Sequence, residues 1–453
     1  MNLISKRNSL YCKTFSIIVI VGSAIALSVC LIPSLAEKRL IALLPLSYCC
    51  FYFCFPRNRL HLSNLSISII NISSFCRYVL YPFIIAITIA RGGGYYFDID
   101  IVWILIYELF GVFLTISVLG RKLDIEPSIG IDSDESVGIV NGFLIFSLIP
   151  ILVQFPSLIT RLSISSDVVK YFSTVGLVEI LFTMGIWTLF LYSLLKLSSV
   201  KFRTRSQRIV SLVFVVAVAI YYILFNAISG NDIKRWQIIA CGIAMIYVVI
   251  KLFPEKKKGI LVCGTVGIVL SVIISSFVKF GLSISFGNLL NKYFELGHFS
   301  EYFGGMRNIS IALNVFENSS NISGLESALT DLFSGVPIIS GLFDYTSNST
   351  PAAFQLALNR TDVICPLTAQ SIAHFGYVGT PVLAMLMTSL AILFDRALKR
   401  ADSLYSSYVL VEMIVFFSLF FELNTTIIMG RLWVRLIYLL LQFIRKKVRF
   451  RFG

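Results

Sequence analysis

The sequence predicts an all-α polytopic integral membrane protein of about twelve transmembrane helices with one large, mainly helical external loop, and three observations lead there. Of the 453 residues, 57% are hydrophobic and only 14% are charged, with a mean hydropathy of +0.86. A soluble chain carries about 25% charge, so too few polar side chains are present to cover a water-facing surface of this size. Apolar runs of membrane-spanning length recur along the chain, and Lys and Arg gather in the stretches between them. Disordered chains, secreted disulfide scaffolds and soluble dinucleotide-binding enzymes are excluded together, since none tolerates so many apolar runs.

A bilayer core about 30 Å thick needs roughly 20 mostly apolar residues per helix. Twelve segments approach that length: 14–32, 40–55, 65–90, 101–119, 138–155, 174–195, 209–226, 237–253, 259–278, 376–395, 408–423 and 426–443. The first ends in Leu31-Ile32-Pro33-Ser34-Leu35-Ala36, which has the look of a cleavable signal, but a second span follows almost at once, so it reads as a retained helix. The second is short, the third is long and contains Arg77, and only Asn424-Thr425 separates the last pair. Cys30, Cys49, Cys50, Cys54, Cys76, Cys241 and Cys263 fall inside or beside these spans, where a thiol acts as a small hydrophobe.

The formal net charge of +14 is an orientation signal and not a nucleic-acid one, because the cations do not collect on one basic domain. With the N-terminus inside and sides alternating, 24 Lys and Arg fall on the cytoplasmic side, 11 on the other and three within spans. The bias places both termini in the cytoplasm. The organisation is then residues 1–278 with nine spans, 279–376 as one external loop, and 377–453 with three spans and a basic tail.

That loop is 98 residues long. Structureless loops longer than about 15 residues are uncommon, so it is expected to fold. Leu289 to Phe294 and Phe354 to Leu358 are amphipathic, and Gly304-Gly305, Ser334-Gly335-Val336-Pro337 and Asn348-Ser349-Thr350-Pro351 mark turns.

Absences narrow the chemistry. There is no phosphate-cradling glycine loop, no dinucleotide fingerprint and no His-Glu-x-x-His. The three histidines are His61, His298 and His374, and a set of His298, Cys365 and His374 is too thin and irregular for zinc. No metal and no cofactor are expected. Arg307 and Arg360 in the loop are suited to a lipid phosphate or pyrophosphate, because a guanidinium keeps its proton and forks onto oxygen pairs. The bland alternative is a surface salt bridge to Glu301 or Asp362. Arg91, beside Gly92-Gly93-Gly94, is a third cation for the same cluster or a simple interfacial anchor. His374 stands where the loop re-enters the membrane and has the right chemistry to take a proton from a sugar hydroxyl, while a structural hydrogen-bonding role competes. Glu301, Glu326, Asp331 and Asp362 are the carboxylate alternatives, and their spacing singles out none. Tyr302, in an aromatic group with Tyr293, Phe294, Phe299 and Phe303, and Tyr377 are candidates for stacking on sugar rings. Charges within spans, Arg77, Glu108, Glu179, Glu412, Glu422, Arg431 and Arg435, fit ion-pair glue between helices better than a transport path.

About twelve spans, a positive inner side, a large loop in the C-terminal third, the stretch Ser371-Ile372-Ala373-His374-Phe375-Gly376-Tyr377-Val378-Gly379 and Gly304-Gly305-Met306-Arg307-Asn308 together resemble the bacterial O-antigen and capsule repeat-unit polymerases of the Wzy type. The O-antigen ligases share the general plan. The resemblance implies a metal-independent, inverting glycosyl transfer on the periplasmic face of the inner membrane. Undecaprenyl-pyrophosphate on the growing glycan is the leaving group, a lipid-linked repeat unit supplies the hydroxyl, and a chain-length regulator is an implied partner. The family's essential external arginines correspond to Arg307 and Arg360, with His374 as the base and Arg91, Tyr302 and Tyr377 binding substrate. The chain departs from the Arg-x10-Gly spacing of some members, with Ser371 eleven residues after Arg360 and Asn318 eleven after Arg307. A ligase differs in its acceptor, lipid A core. A lipid-linked oligosaccharide flippase lacks so large an external loop, and a non-enzymatic channel or receptor is a third class.

The topology has a direct test. Reporter fusions at Lys256 and Asn321 should report opposite sides of the membrane, and a common side would remove the ninth span.

Overall fold

The computed structural model describes residues 2–56, 62, 64–91, 97–120, 139–154, 174–199, 205–229, 232–233, 235–280, 285, 287, 305–319, 322, 324–334, 336, 348–360, 363–401 and 403–452. Among them the chain is helical apart from one two-residue antiparallel ladder pairing Ile228 with Ile233. Nine helical segments among the described residues are long and apolar enough to cross a membrane, which makes this a multi-pass membrane protein by helix length and hydropathy.

Each of the twelve expected spans contains helix, and three are below crossing length among the described residues. Helix α2, Leu43–Cys54, has 12 residues because a 3-10 stretch over Pro33–Ala42, opened by a proline in its first turn, takes up the start of the expected span. The segment Val140–Gln154 and the helix Leu404–Ser418 are also short. The latter ends in a tight turn at Phe420–Glu422, and Asn424 then starts the final helix by accepting the N–H of Ile427 at 2.9 Å on its side-chain oxygen.

The chain divides into two compact units. The first comprises Met1–Asp124, Phe286–Arg396 and Ile414–Arg431. Here α1 (Asn2–Cys30) packs on α2 and on α4 (Tyr81–Ala90), and α2 packs on α5 (Ile101–Leu119). The long third span is α3 (Leu65–Phe75) joined to α4 through a π turn at Cys76–Leu80. Such a turn inserts one residue into the ladder, and this one carries Arg77, which is fully buried. Its Nη2 lies 2.9 Å from Glu108 of α5, and its guanidinium stacks 4.5 Å from the Phe421 ring. Tyr78 donates a second bond to the same carboxylate at 3.0 Å.

The described residues of the segment 279–376 are folded. Four short helices are described in it: α12 (Met306–Glu317), α13 (Gly324–Phe333), α14 (Thr350–Leu358) and α15 (Leu367–Phe375). Met306, Ile309, Ala312 and Phe316 recur at helical spacing along one face of α12 and are buried. Ala312 and Phe316 share a core with Phe354, Val363, Cys365 and Ala369, so the loop has an apolar centre of its own. The amphipathic stretch 289–294 lies outside the described residues. Helix α16 (Val382–Lys399) follows, its Asp395 accepting the N–H and hydroxyl of Ser66 at 3.2 and 2.8 Å.

The second unit comprises Ile125–Ser285, Ala397–Met413 and Leu432–Gly453. Its described elements include α6 (Ile139–Phe146), α7 (Leu148–Gln154), α8 (Thr174–Ser199), α9 (Arg205–Ala227), α10 (Arg235–Leu252) and α11 (Lys257–Phe280), the last four packing in consecutive hairpins. Within it Glu412 of α17 (Leu404–Ser418) takes hydroxyl bonds from Tyr222 and Tyr408 at 3.0 and 2.9 Å. Its other oxygen pairs with Arg435 of α18 (Thr425–Phe452) at 2.9 Å.

Arg77→Met should strand the Glu108 charge and cost about 3–5 kcal/mol, whereas Arg77→Met with Glu108→Gln should recover most of it. Thermal unfolding of detergent-purified protein measures both, and equal losses would deny the pair its role.

Candidate functional site

Helix α15 is nine residues long, and Thr368, Gln370, Ser371 and His374 along it are all buried. Pro366 opens it, since a proline needs no N–H partner at a helix start. Gly376 closes it at φ +72°, a conformation that costs a side-chain-bearing residue energy. The turn beyond is tight: a Cβ added at Gly379 would sit 2.1 Å from the Cβ of Phe375. Ser371 secures that turn by donating to the Gly379 carbonyl at 2.7 Å and accepting the N–H of Leu383 at 3.3 Å.

The first polar residue of α15 reaches into the spans. Thr368 accepts from Arg77 Nη2 at 2.7 Å and donates to Glu108 Oε1 at 2.8 Å. The Tyr107 hydroxyl donates to the Val378 carbonyl at 3.1 Å, and a Cβ added at Gly111 would meet Pro381 at 2.5 Å. The stretch 367–381 therefore lies beside residues 107–111 of α5. At about 1.5 Å rise per residue, that is roughly 10–15 Å along the helix from its start at Ile101.

The second half of α15 converges on Asp331 of α13. That carboxylate is fully buried and accepts from Ser349 Oγ at 2.9 Å, the Thr350 N–H at 3.2 Å, the Thr350 hydroxyl, and Gln370 Nε2 at 3.0 Å. It thereby caps the start of α14 from another helix, placing an anion at the positive end of that helix dipole. Gln370 turns its carbonyl oxygen to the N–H and hydroxyl of Thr425, at 3.0 and 3.1 Å. His374 Nε2 lies 3.1 Å from Asp331 Oδ2, in ion-pair range though off the line of a hydrogen bond, and its Nδ1 is buried without a partner. Burial and the Asp331 charge push the Cys365 thiol well above its usual value, which marks the surroundings as poorly hydrated.

No protein-family model matches the chain, and no curated protein or solved structure matches it.

Of the residues singled out by sequence, the site unites His374 with Asp331, one of the four carboxylate alternatives. Arg307, in the first turn of α12, is exposed, as is Arg360, which follows the left-handed Asn359 that ends α14. No hydrogen bond or ion pair joins His374 to either arginine. Arg91 is exposed one residue beyond α4. Tyr377 is exposed, and its hydroxyl donates to Glu317 Oε1 at 3.3 Å. Tyr302, Glu301, Asp362 and His298 lie outside the described residues. Glu326 is exposed and accepts from Asn348 at 2.8 Å. Sequence reading missed Gln370 and the partnership of Asp331. The usable signal was the spacing of four between Gln370 and His374, which puts both on one helix face. An imidazole held against a fixed carboxylate is oriented for proton transfer, which is the chemistry this arrangement offers.

With its ionisation suppressed, Cys365 should resist alkylation at pH 8 until the protein is denatured. Peptide-level mass spectrometry after iodoacetamide treatment reads this, and modification of the native chain at the rate of a free thiol would contradict the packing.

Proposed function

We propose that this chain polymerises undecaprenyl-pyrophosphate-linked oligosaccharide repeat units, of O-antigen or capsule type, on the periplasmic face of the inner membrane. The observation that carries the reading is α15: a polar helix sunk beside the spans, with an imidazole at its end held 3.1 Å from a fixed carboxylate. Soluble sugar donors have no need of polar groups at that depth, whereas a lipid-linked donor presents its glycan from the membrane itself.

The reaction is an inverting, metal-independent displacement. The acceptor sugar hydroxyl attacks the anomeric carbon of the growing glycan, and the bond from that carbon to the pyrophosphate oxygen breaks. The electron pair leaves with undecaprenyl pyrophosphate, and the hydroxyl proton passes to His374. A sugar hydroxyl is a poor nucleophile near neutral pH, so a placed base contributes about 10²- to 10⁴-fold. Asp331 keeps the Nε2 edge of the ring, which leaves Nδ1 as the nitrogen for the incoming proton. Nδ1 is buried here, so the reading requires that glycan binding uncover it. Arg307 and Arg360 hold the pyrophosphate, Arg91 adds charge to it, and Tyr302 and Tyr377 meet the sugars.

With purified lipid-linked repeat units and EDTA throughout, His374→Ala and His374→Gln should each lower polymerisation by about 10²- to 10⁴-fold. Arg307→Ala and Arg360→Ala should abolish polymer at normal protein level, with Lys restoring part because it keeps charge without the fork. Near-normal rates in both His374 variants would move the base elsewhere, and wild-type polymer in both alanine variants would take the arginines out of the site.

A further inference from the structure

In the second unit, the last turns of α8 and the first turns of α9 separate to leave a groove of about 400 Å³, with Val210 and Phe214 of its lining exposed. One part of its wall is polar. Lys196, in the last turn of α8, holds its ammonium 5.5 Å from the Tyr192 ring centre, and Ser193 and Ser211 line the groove beside it. The other part is apolar, formed by Phe214 and Val215 of α9 with Leu197. The groove sits at the end of the hairpin that carries residues 200–204, which the cation count assigns to the cytoplasm. Lys196 and Arg208 are both exposed at that end, and the sequence between them adds Lys201, Arg203 and Arg205, with no Asp or Glu between Glu179 and Asp232. Lys196 pairs with no carboxylate among the described residues.

We infer that this groove binds an anionic glycerophospholipid of the inner leaflet, its phosphate at Lys196 and Ser211 and the upper part of one acyl chain along Phe214 and Val215. The volume fits a headgroup with its first methylenes and is too small for a whole lipid, so the remaining chain stays in the bilayer. The run of cations from Lys196 to Arg208, with no acid in that stretch of sequence, favours a net negative headgroup over a zwitterionic one. Each cation near the membrane surface is worth about fivefold in affinity. The inference is independent of the proposed glycosyl transfer.

Native mass spectrometry of the detergent-solubilised full chain, after equilibration with phosphatidylglycerol or with phosphatidylcholine of the same acyl chains, tests it. Wild type should retain one phosphatidylglycerol at about fivefold higher occupancy or more. Lys196→Gln should cut the preference for phosphatidylglycerol about fivefold and Lys196→Arg should not, while Ser211→Phe, which fills the groove, should lower occupancy by both. Circular dichroism checks that each variant is folded, and Lys196 is exposed, so Lys196→Gln carries the test if Ser211→Phe misfolds. Equal occupancy by the two lipids in wild type, or an unchanged preference in Lys196→Gln, would overturn the site.

Discussion

Asp331 is fully buried, and a carboxylate removed from water persists only where donors replace its hydration. Here they come from the start of α14, through Ser349 and Thr350, and from α15, through Gln370. One charge therefore fixes three helices of the segment 279–376 against each other. Gln370 carries the constraint onward, since its carbonyl oxygen holds the first turn of the final helix at Thr425. Thr368, two residues earlier, ties the same short helix to Arg77 and Glu108 in the spans. The loop is in this way bonded into the first unit and not merely tethered to it.

Each of the two units holds its own buried ion pair, built from the same chemistry. Glu108 meets Arg77 and a tyrosine hydroxyl, with Phe421 against the guanidinium. Glu412 meets Arg435 and two tyrosine hydroxyls, with Trp187 against the guanidinium at 5.1 Å. No water is at hand in a bilayer core to solvate a lone charge, so the pairing, the hydroxyl donors and the aromatic face together stand in for it. Such pairs favour one arrangement of helices, because any other leaves a charge unmatched. The two clusters differ in one respect. Nε and Nη1 of Arg77 are buried without hydrogen-bond partners, whereas Arg435 donates from Nε to Glu412 Oε2 at 3.0 Å.

Hydropathy made the helical spans legible because in a membrane the apolar length of a segment reports its structure almost directly. It overstated 40–55 and 408–423, where a 3-10 stretch and a tight turn shorten the helices without making the sequence less apolar. The folded loop was legible from its length. Arg77 was legible as a buried charge, but its partners were not: Glu108 stands 31 residues away and Thr368 stands 291 residues away, and nothing local to Arg77 selects them. Asp331 was one acid among four because burial, which separates it from exposed Glu326, is a tertiary property. His374 was picked for its position just before the tenth apolar segment, and the structure buries it at the end of α15. Its pairing depends on how α13 packs against α15, which no spacing in the sequence encodes.

The depth of α15 bears on which substrates can reach it. Thr368 lies level with Glu108, roughly 10 Å along α5 from Ile101, and the chain between His374 and Pro381 runs beside residues 107–111. Trp103, Tyr107, Tyr377 and Val378 are exposed along this same stretch, a surface that suits hydrocarbon and not water. A soluble glycan approaching such a site would have to leave its hydration behind with nothing to offset the loss. A glycan on a polyprenyl pyrophosphate starts with its tail already in the bilayer, and the reacting anomeric carbon, bonded directly to the pyrophosphate, is held at the membrane by that anchor. Under the proposed reaction the sunken helix thus selects for the lipid anchor itself, and identity of the sugar becomes a matter for the loop helices above.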